Sequence, residues 1–333
     1  MSNFRTLMIG AKLFTMVCFS ISIAGEYAPT QMILIGWGDS PNQLKIDLPF
    51  HEDVYNTPAD SSDDWVEYNG PNIGFVDAHE NTYIASNRYV QLKGFDKNGG
   101  LIFDYSEGGP GYDAEFFSGG IESIYVDSLC RIYVVDGMAY DYAAVIDTMG
   151  HLLQKLTPFG PGSGITVASM HPNSRDVLAF YLMGRGYYTY SNGSFEARGS
   201  MGWRANDGYY YTGFQRDSTA IVLRRLQNAD TSGMDVVLSE NTIEISGALV
   251  WYTEFLGVDD EMQLFLYMDE YNPDANKVLI IDSNLNPAGA LDLPIQVNKY
   301  KWSMRPFMRP SDGNIYEFRC LDDGLHVIRW TKE

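Results

Sequence analysis

The chain has 333 residues, 45% of them hydrophobic and 14% aromatic, and a formal net charge of −20. That hydrophobic fraction excludes a disordered chain and can fill a large core. So acidic a surface repels phosphate backbones and anionic lipid headgroups, which excludes nucleic acid as a partner.

At the N-terminus, Arg5 and Lys12 precede an apolar run from Leu13 to Ile23, followed by the small-residue frame Ser22-Ile23-Ala24. This pattern predicts a secretory signal peptide over residues 1–25, cleaved near Gly25 or Glu26, with an uncleaved anchor as the alternative. The run is short for a membrane span, so no membrane insertion is expected after cleavage. Losing the two positive charges of that segment would take the net charge from −20 to −22. Residues 26–333 then form a single domain.

Past the leader, one strand-turn-strand phrase returns with constant internal spacing. It occurs as Gly74-Phe75-Val76-Asp77 with Tyr83, as Ile124-Tyr125-Val126-Asp127 with Tyr133, and as Leu256-Gly257-Val258-Asp259 with Phe265. Repeats of about 40 to 50 residues, each with four strand-like runs, predict an all-β propeller. The first blade is expected over 71–107, with strands at 72–77, 82–87, 89–96 and 100–105. A second turn signal recurs in phase as Asp96-Lys97-Asn98-Gly99, Asp147-Thr148-Met149-Gly150 and Tyr190-Ser191-Asn192-Gly193, where glycine supplies the positive φ of a tight hairpin. Further blades are expected over 120–158, 163–200, 205–242 and 248–294. The third and fourth are degenerate, with Ser169 to Pro172 and Gln215 to Asp217 at the place of the aspartate turn.

The last blade starts near Lys301 and runs out of sequence one strand short. Leu44-Lys45-Ile46-Asp47-Leu48-Pro49 matches the outer strand of the fifth blade, Ala290 to Pro294, and is the expected missing strand. Pairing the two termini would remove an exposed sheet edge. Residues 50–70 read as an acidic connection. Six blades is the expected count, with five or seven left open by the degenerate copies.

The phrase formed by Val76-Asp77 with Tyr83, then Phe95-Asp96 with Gly99, resembles the NHL-repeat and related six-bladed propellers. The opening segment, Trp37-Gly38-Asp39, Asn42-Gln43-Leu44 and Gly70-Pro71-Asn72, is similar to exported bacterial propellers of that type. The resemblance implies the fold. It leaves function open among binding platforms, lyases and lactonases.

No catalytic signature is present: no His-Glu-x-x-His, no nucleophile elbow, and no phosphate loop leading into a helix. Gly160-Pro161-Gly162-Ser163-Gly164 reads as a turn between blades. The histidines at 51, 79, 151, 171 and 326 are scattered and read as surface turn residues. Asp77, Asp127, Asp96 and Asp147 precede tight turns, where a carboxylate caps turn amides without any metal. Cys130 and Cys320 lie in distant blades and read as unpaired.

Five residues before each aspartate turn lies the start of an inner strand, where the channel opens on one face. That rule selects Asn72, Glu122, Glu254 and Arg305, with Tyr211 in the fourth copy. Such a cluster could hold a ligand or a cation, with calcium the ion to consider, or Arg305 could pair with a glutamate and plug the channel. Gluconolactonase-type propellers hold calcium in a similar arrangement. Here their Glu-Gly-Pro-x-Trp phrase is absent and Arg305 would oppose the ion. The tyrosine runs Tyr187 to Tyr190 and Tyr209 to Tyr211 could stack sugars, although strand alternation buries half of each.

The expected protein is therefore a secreted or periplasmic monomeric propeller that binds a protein or an extracellular ligand. The alternative is a metal-dependent, lactonase-like hydrolase centred on the channel mouth, and a third reading is a carbohydrate-binding module.

Overall fold

The computed structural model describes residues 27–45, 70–86, 91–106, 120–136, 141–174, 177–183, 185–197, 202–227, 236–245, 249–270, 275–294, 304–321 and 323–332. The expected signal peptide and the acidic connection up to residue 69 lie outside them. Among the described residues no helix is long and apolar enough to cross a membrane.

Strand β1 (Tyr27–Ile35) comes first in the chain but belongs to the last blade. Blade one is β2 (Ile73–Val76), β3 (Thr82–Ser86), β4 (Gln91–Phe95) and β5 (Leu101–Ser106); blade two is β6 (Ile121–Val126), β7 (Ile132–Asp136), β8 (Ala143–Ile146) and β9 (Leu152–Leu156). Blade three is β10 (Val167–Ser174), β11 (Val177–Leu182), β12 (Gly186–Ser191) and β13 (Ser194–Ala197). Blade four is β14 (Trp203–Arg204), β15 (Tyr210–Asp217), β16 (Ala220–Gln227) and β17 (Val236–Glu244). Blade five is β18 (Val250–Val258), β19 (Leu264–Glu270), β20 (Ala275–Ile281) and β21 (Pro287–Pro294). Blade six joins β22 (Phe307–Arg309), β23 (Asn314–Leu321) and β24 (Gly324–Lys332) to β1, in the order β22-β23-β24-β1.

Each sheet is antiparallel, and the first strands of successive blades touch in a closed ring: β2, β6, β10, β14, β18, β22 and back to β2. The structure is thus a six-bladed β-propeller. Because blades stack face to face, both faces of a middle strand are covered, so Thr82–Ser86 and Ile132–Asp136 are buried at every position. Outer strands such as Leu152–Leu156 keep exposed positions and read as more polar. Apolar clusters fill the seams between blades. Phe75, Tyr83 and Tyr105 meet Ile121, Ile124 and Val134 between blades one and two, and Phe318, Tyr316 and Val327 meet Val76, Ile84 and Phe95 between six and one.

The constant spacing of the repeat has a direct cause. The Asp77 Oδ1 accepts the amides of His79 and Asn81 at 2.8 and 2.9 Å, while the Tyr83 hydroxyl donates to Oδ2 at 3.2 Å. Asp127 repeats the arrangement with Leu129, Arg131 and Tyr133. Asp96 and Asp147 each take two turn amides in the outer hairpins, as does Asp282, whose turn sequence analysis did not single out. These aspartates cap turns, as their position predicts. Asn192 and Gly193 take φ of 49° and 81° in the two-residue turn of blade three.

Closure by the N-terminal strand is present, with a correction to its position. The strand beside Leu325–Trp330 is β1, with Tyr27 opposite Lys332 and Ile35 opposite Leu325, and not 44–49. Residues 46–49 lie outside the described residues. A bulge between Gln31 and Ile33 breaks the period-two pattern, which hides β1 in the sequence. Leu44 instead ends a hook that folds back on the chain. Its amide donates to the Gly36 carbonyl at 3.0 Å, its side chain is fully buried in the six–one seam, and the Trp37 Nε1 donates to the Leu321 carbonyl at 2.7 Å. The buried Lys93 of blade one clamps the hook, donating to the Pro41 and Gln43 carbonyls at 2.9 Å each.

The phases of blades three and four are corrected as well. In blade three the inner strand continues through Ser169 to Pro172 as far as Ser174, which pairs with Val177. In blade four the turn falls at Ala205, whose amide donates to Tyr209 and whose carbonyl accepts from Gly208. Gln215 to Asp217 end the second strand instead. Cys130 lies in a turn and Cys320 near a strand end, and no disulfide joins them.

Candidate site at the channel mouth

The inner strands converge on the axis, and at the end where they begin the channel opens into a cavity of about 740 Å3. All six blades line it. Four of the five residues selected by repeat phase, Asn72, Glu122, Glu254 and Arg305, lie around this one cavity.

Tyr211 does not. It follows the Ala205 turn by six residues, as Tyr83 follows Asp77, so it sits on the second strand, fully buried in the seam between blades four and five. Its hydroxyl donates to Asp207 at 2.8 Å, the counterpart of the Tyr83–Asp77 bond with the carboxylate moved two residues along. Burial, followed by that hydrogen bond, raises its ionisation well above the usual phenol range.

The cavity has an apolar floor and a polar rim. Phe75, Ile124, Met170, Trp203, Phe307 and Met308 form much of the apolar lining. On the rim, an Arg305 guanidinium nitrogen lies 3.3 Å from the Glu254 carboxylate, and the guanidinium stands 4.7 Å from the centre of the Tyr252 ring. The Tyr252 hydroxyl donates to the same carboxylate at 3.3 Å. Burial raises the Glu254 carboxyl above its ordinary range, opposed by Arg305, and pushes the Tyr252 phenol up to about 12. The expected pairing of Arg305 with a glutamate is therefore present. It does not plug the channel, because the Arg305 side chain remains 59% exposed and the cavity stays open beside it.

Across the rim, Glu122 makes no ion pair or hydrogen bond among the described residues. Burial also raises its carboxyl above the ordinary range, opposed by the more distant Arg305 charge.

Sequence reasoning missed His171 and Gln215. His171 is not a turn residue: it lies on the inner strand β10 opposite Ala179, lines the cavity and packs edge-on to Tyr187 at 6.0 Å. Its buried Nε2 has no hydrogen-bond partner, and burial pushes its pKa down to about 4, so the ring is neutral at physiological pH. Gln215 reaches the rim from β15, donating to the Val250 carbonyl at 2.7 Å. The repeat rule counts back along inner strands from an aspartate turn, so it reaches neither: blade three has no such turn, and Gln215 lies on the second strand of blade four. His326 is likewise on a strand, bonded to Asp323 at 2.8 Å, whereas His79 and His151 do occupy turns. Of the tyrosine runs, Tyr187 lines the cavity, while Tyr210 and Tyr211 are core residues.

Among the described residues no group of three or more His, Cys, Asp or Glu is placed to hold a metal, and one of the two rim carboxylates is already paired with Arg305.

No family model matches the chain, and no curated protein does. Solved structures match the chain at low identity. A streptogramin B lyase is 13% identical over 78% of each chain, with a TM-score of 0.42. A catalytically inactive virginiamycin B lyase from Staphylococcus aureus, solved with quinupristin, is 13% identical over 79% of this chain and 95% of that one, with a TM-score of 0.44. The extracellular domain of a protein described as a one-component system from B. thetaiotaomicron is 11% identical over 78% of this chain, which spans 33% of that one, with a TM-score of 0.39. At such values the likeness bears on neither the site nor its chemistry; the fold shown here is the six-bladed β-propeller.

Proposed function

We propose that the chain is an exported binding module that seats a ligand in the cavity at the channel mouth. The observation that carries this reading is the cavity itself: about 740 Å3 on the axis, apolar below and polar at the rim. Size and lining are those of small-molecule sites, in which an apolar wall supplies affinity and a few polar groups fix orientation. Export rests on the signal-like residues 1–25 and suits the acidic composition.

Native mass spectrometry of the purified protein after incubation with small-molecule extracts tests the reading. A component retained at one per chain by the wild type, and lost from Phe214→Ala and Glu254→Gln variants, supports it. Components retained equally by wild type and variants would place binding elsewhere and sink it.

A further inference from the structure

The chemistry of the cavity narrows the class of ligand, an argument that rests on the binding reading above. Among the described residues the rim has two carboxylates, Glu122 and Glu254, and one guanidinium, Arg305. Arg305 is committed to Glu254 and to the Tyr252 ring. The other titratable groups facing the cavity, His171, Tyr187 and Tyr252, are neutral at physiological pH, since burial lowers the first and raises the other two. The cavity therefore carries one carboxylate in excess, and that carboxylate is Glu122. An anionic ligand would meet it uncompensated, and among the described residues a divalent cation finds no group of three His, Cys, Asp or Glu. Aromatic residues on several blades also line the cavity, among them Phe75, Trp203 and Phe307. A cation with an apolar body satisfies both features at once, because aromatic faces attract positive charge and desolvate it less severely than aliphatic walls.

We propose that the channel mouth takes an organic monocation, an ammonium group carried on an aromatic or otherwise apolar body, with Glu122 as its counter-charge and the floor rings around its body.

Three probes that share a benzyl group test this: benzyltrimethylammonium, benzyl alcohol and phenylacetate, titrated into wild-type and Glu122→Gln protein at about 0.15 M salt to screen the overall negative charge. Binding is followed through the fluorine resonance of Trp203 in protein labelled with 5-fluorotryptophan, assigned with a Trp203→Phe variant. The wild type is expected to hold the cation about tenfold tighter than the alcohol, with phenylacetate weakest. Glu122→Gln should remove the cation's advantage and leave benzyl alcohol binding unchanged. Equal binding of cation and alcohol, or an advantage that survives Glu122→Gln, overturns the cation assignment and leaves the pocket reading intact. If none of the three moves the Trp203 resonance, both are overturned. Unfolding curves of wild type and Glu122→Gln, taken first, separate a lost counter-charge from a damaged fold.

Discussion

Arg305 separates a structural plug from a ligand-facing rim, and Arg305→Met is the perturbation that tells them apart. A charge pair buried in a plugged channel would lose about 3 to 5 kcal/mol when one partner is removed, because the other is left uncompensated. The observed pair is 3.3 Å apart, with the side chains 59% and 33% exposed, so solvent screens it. An exposed pair contributes about 0.2 to 1 kcal/mol and an exposed cation–ring contact about 0.5 to 1 kcal/mol. Arg305→Met should therefore cost less than about 2 kcal/mol in urea unfolding at neutral pH. The loss should also depend on pH. Glu254 already has its carboxyl raised by burial, and Arg305 is the charge that opposes the rise. A carboxyl raised in the folded state favours folding at low pH, and that contribution is lost as pH rises through its folded pKa. Removing Arg305 raises it further, so the difference between variant and wild type should be smallest near about pH 4 and grow toward about pH 7. A loss of several kcal/mol at every pH would refute the reasoning and restore the plug.

Other predictions follow from the closure of the ring. Leu44→Ala should cost about 2 to 5 kcal/mol in chemical unfolding, because a fully buried leucine leaves the six–one seam; a loss below 1 kcal/mol would mean that the hook is not packed. Gly74→Ala should cost about 1 to 3 kcal/mol by overpacking, since a Cβ there would stand 2.5 Å from the buried Phe318 ring of blade six, and an unchanged unfolding midpoint would deny that close approach. Cysteines placed at Ala28 and Thr331, which face each other across β1 and β24, should form a disulfide under mild oxidation, read as a mobility shift on a non-reducing gel. A pair that stays reduced would move the closing strand elsewhere.

The architecture was legible wherever one aspartate holds a turn and a tyrosine hydroxyl reaches back to it. Asp77 with Tyr83 and Asp127 with Tyr133 set the spacing; the strands of blade one fall within a residue or two of expectation, and those of blade two lie within the expected 120–158. Where the carboxylate moves to Asp207, the same bond survives with a different spacing, and the phase of blade four is misread by a whole strand. That error put Tyr211 in the site, while Gln215 stayed out because it lies on a second strand, which a rule built on inner strands does not select. His171 was missed for a related reason: its blade has no aspartate turn to count from, and a histidine beside proline reads as loop until strand pairing shows it opposite Ala179. The closing strand was hidden by its bulge. Leu44 to Pro49 has the composition of an outer strand, yet Leu44 is buried by the hook that Lys93 clamps, a contact some fifty residues away in sequence. Charges at strand starts are visible in the sequence; which of them remains unpaired is decided only when Arg305 chooses Glu254 over Glu122.

The central claim is that the channel mouth is where this protein binds, and tryptophan position tests it most directly. Trp203 lines the cavity, whereas Trp37 and Trp330 pack near the ring closure, bonded to the Leu321 carbonyl and to Glu317. In 5-fluorotryptophan-labelled protein, a saturating ligand, whether benzyltrimethylammonium or a component retained from an extract, should shift the Trp203 resonance and leave those of Trp37 and Trp330 in place. A ligand that binds at one per chain while Trp203 stays unmoved would contradict the account.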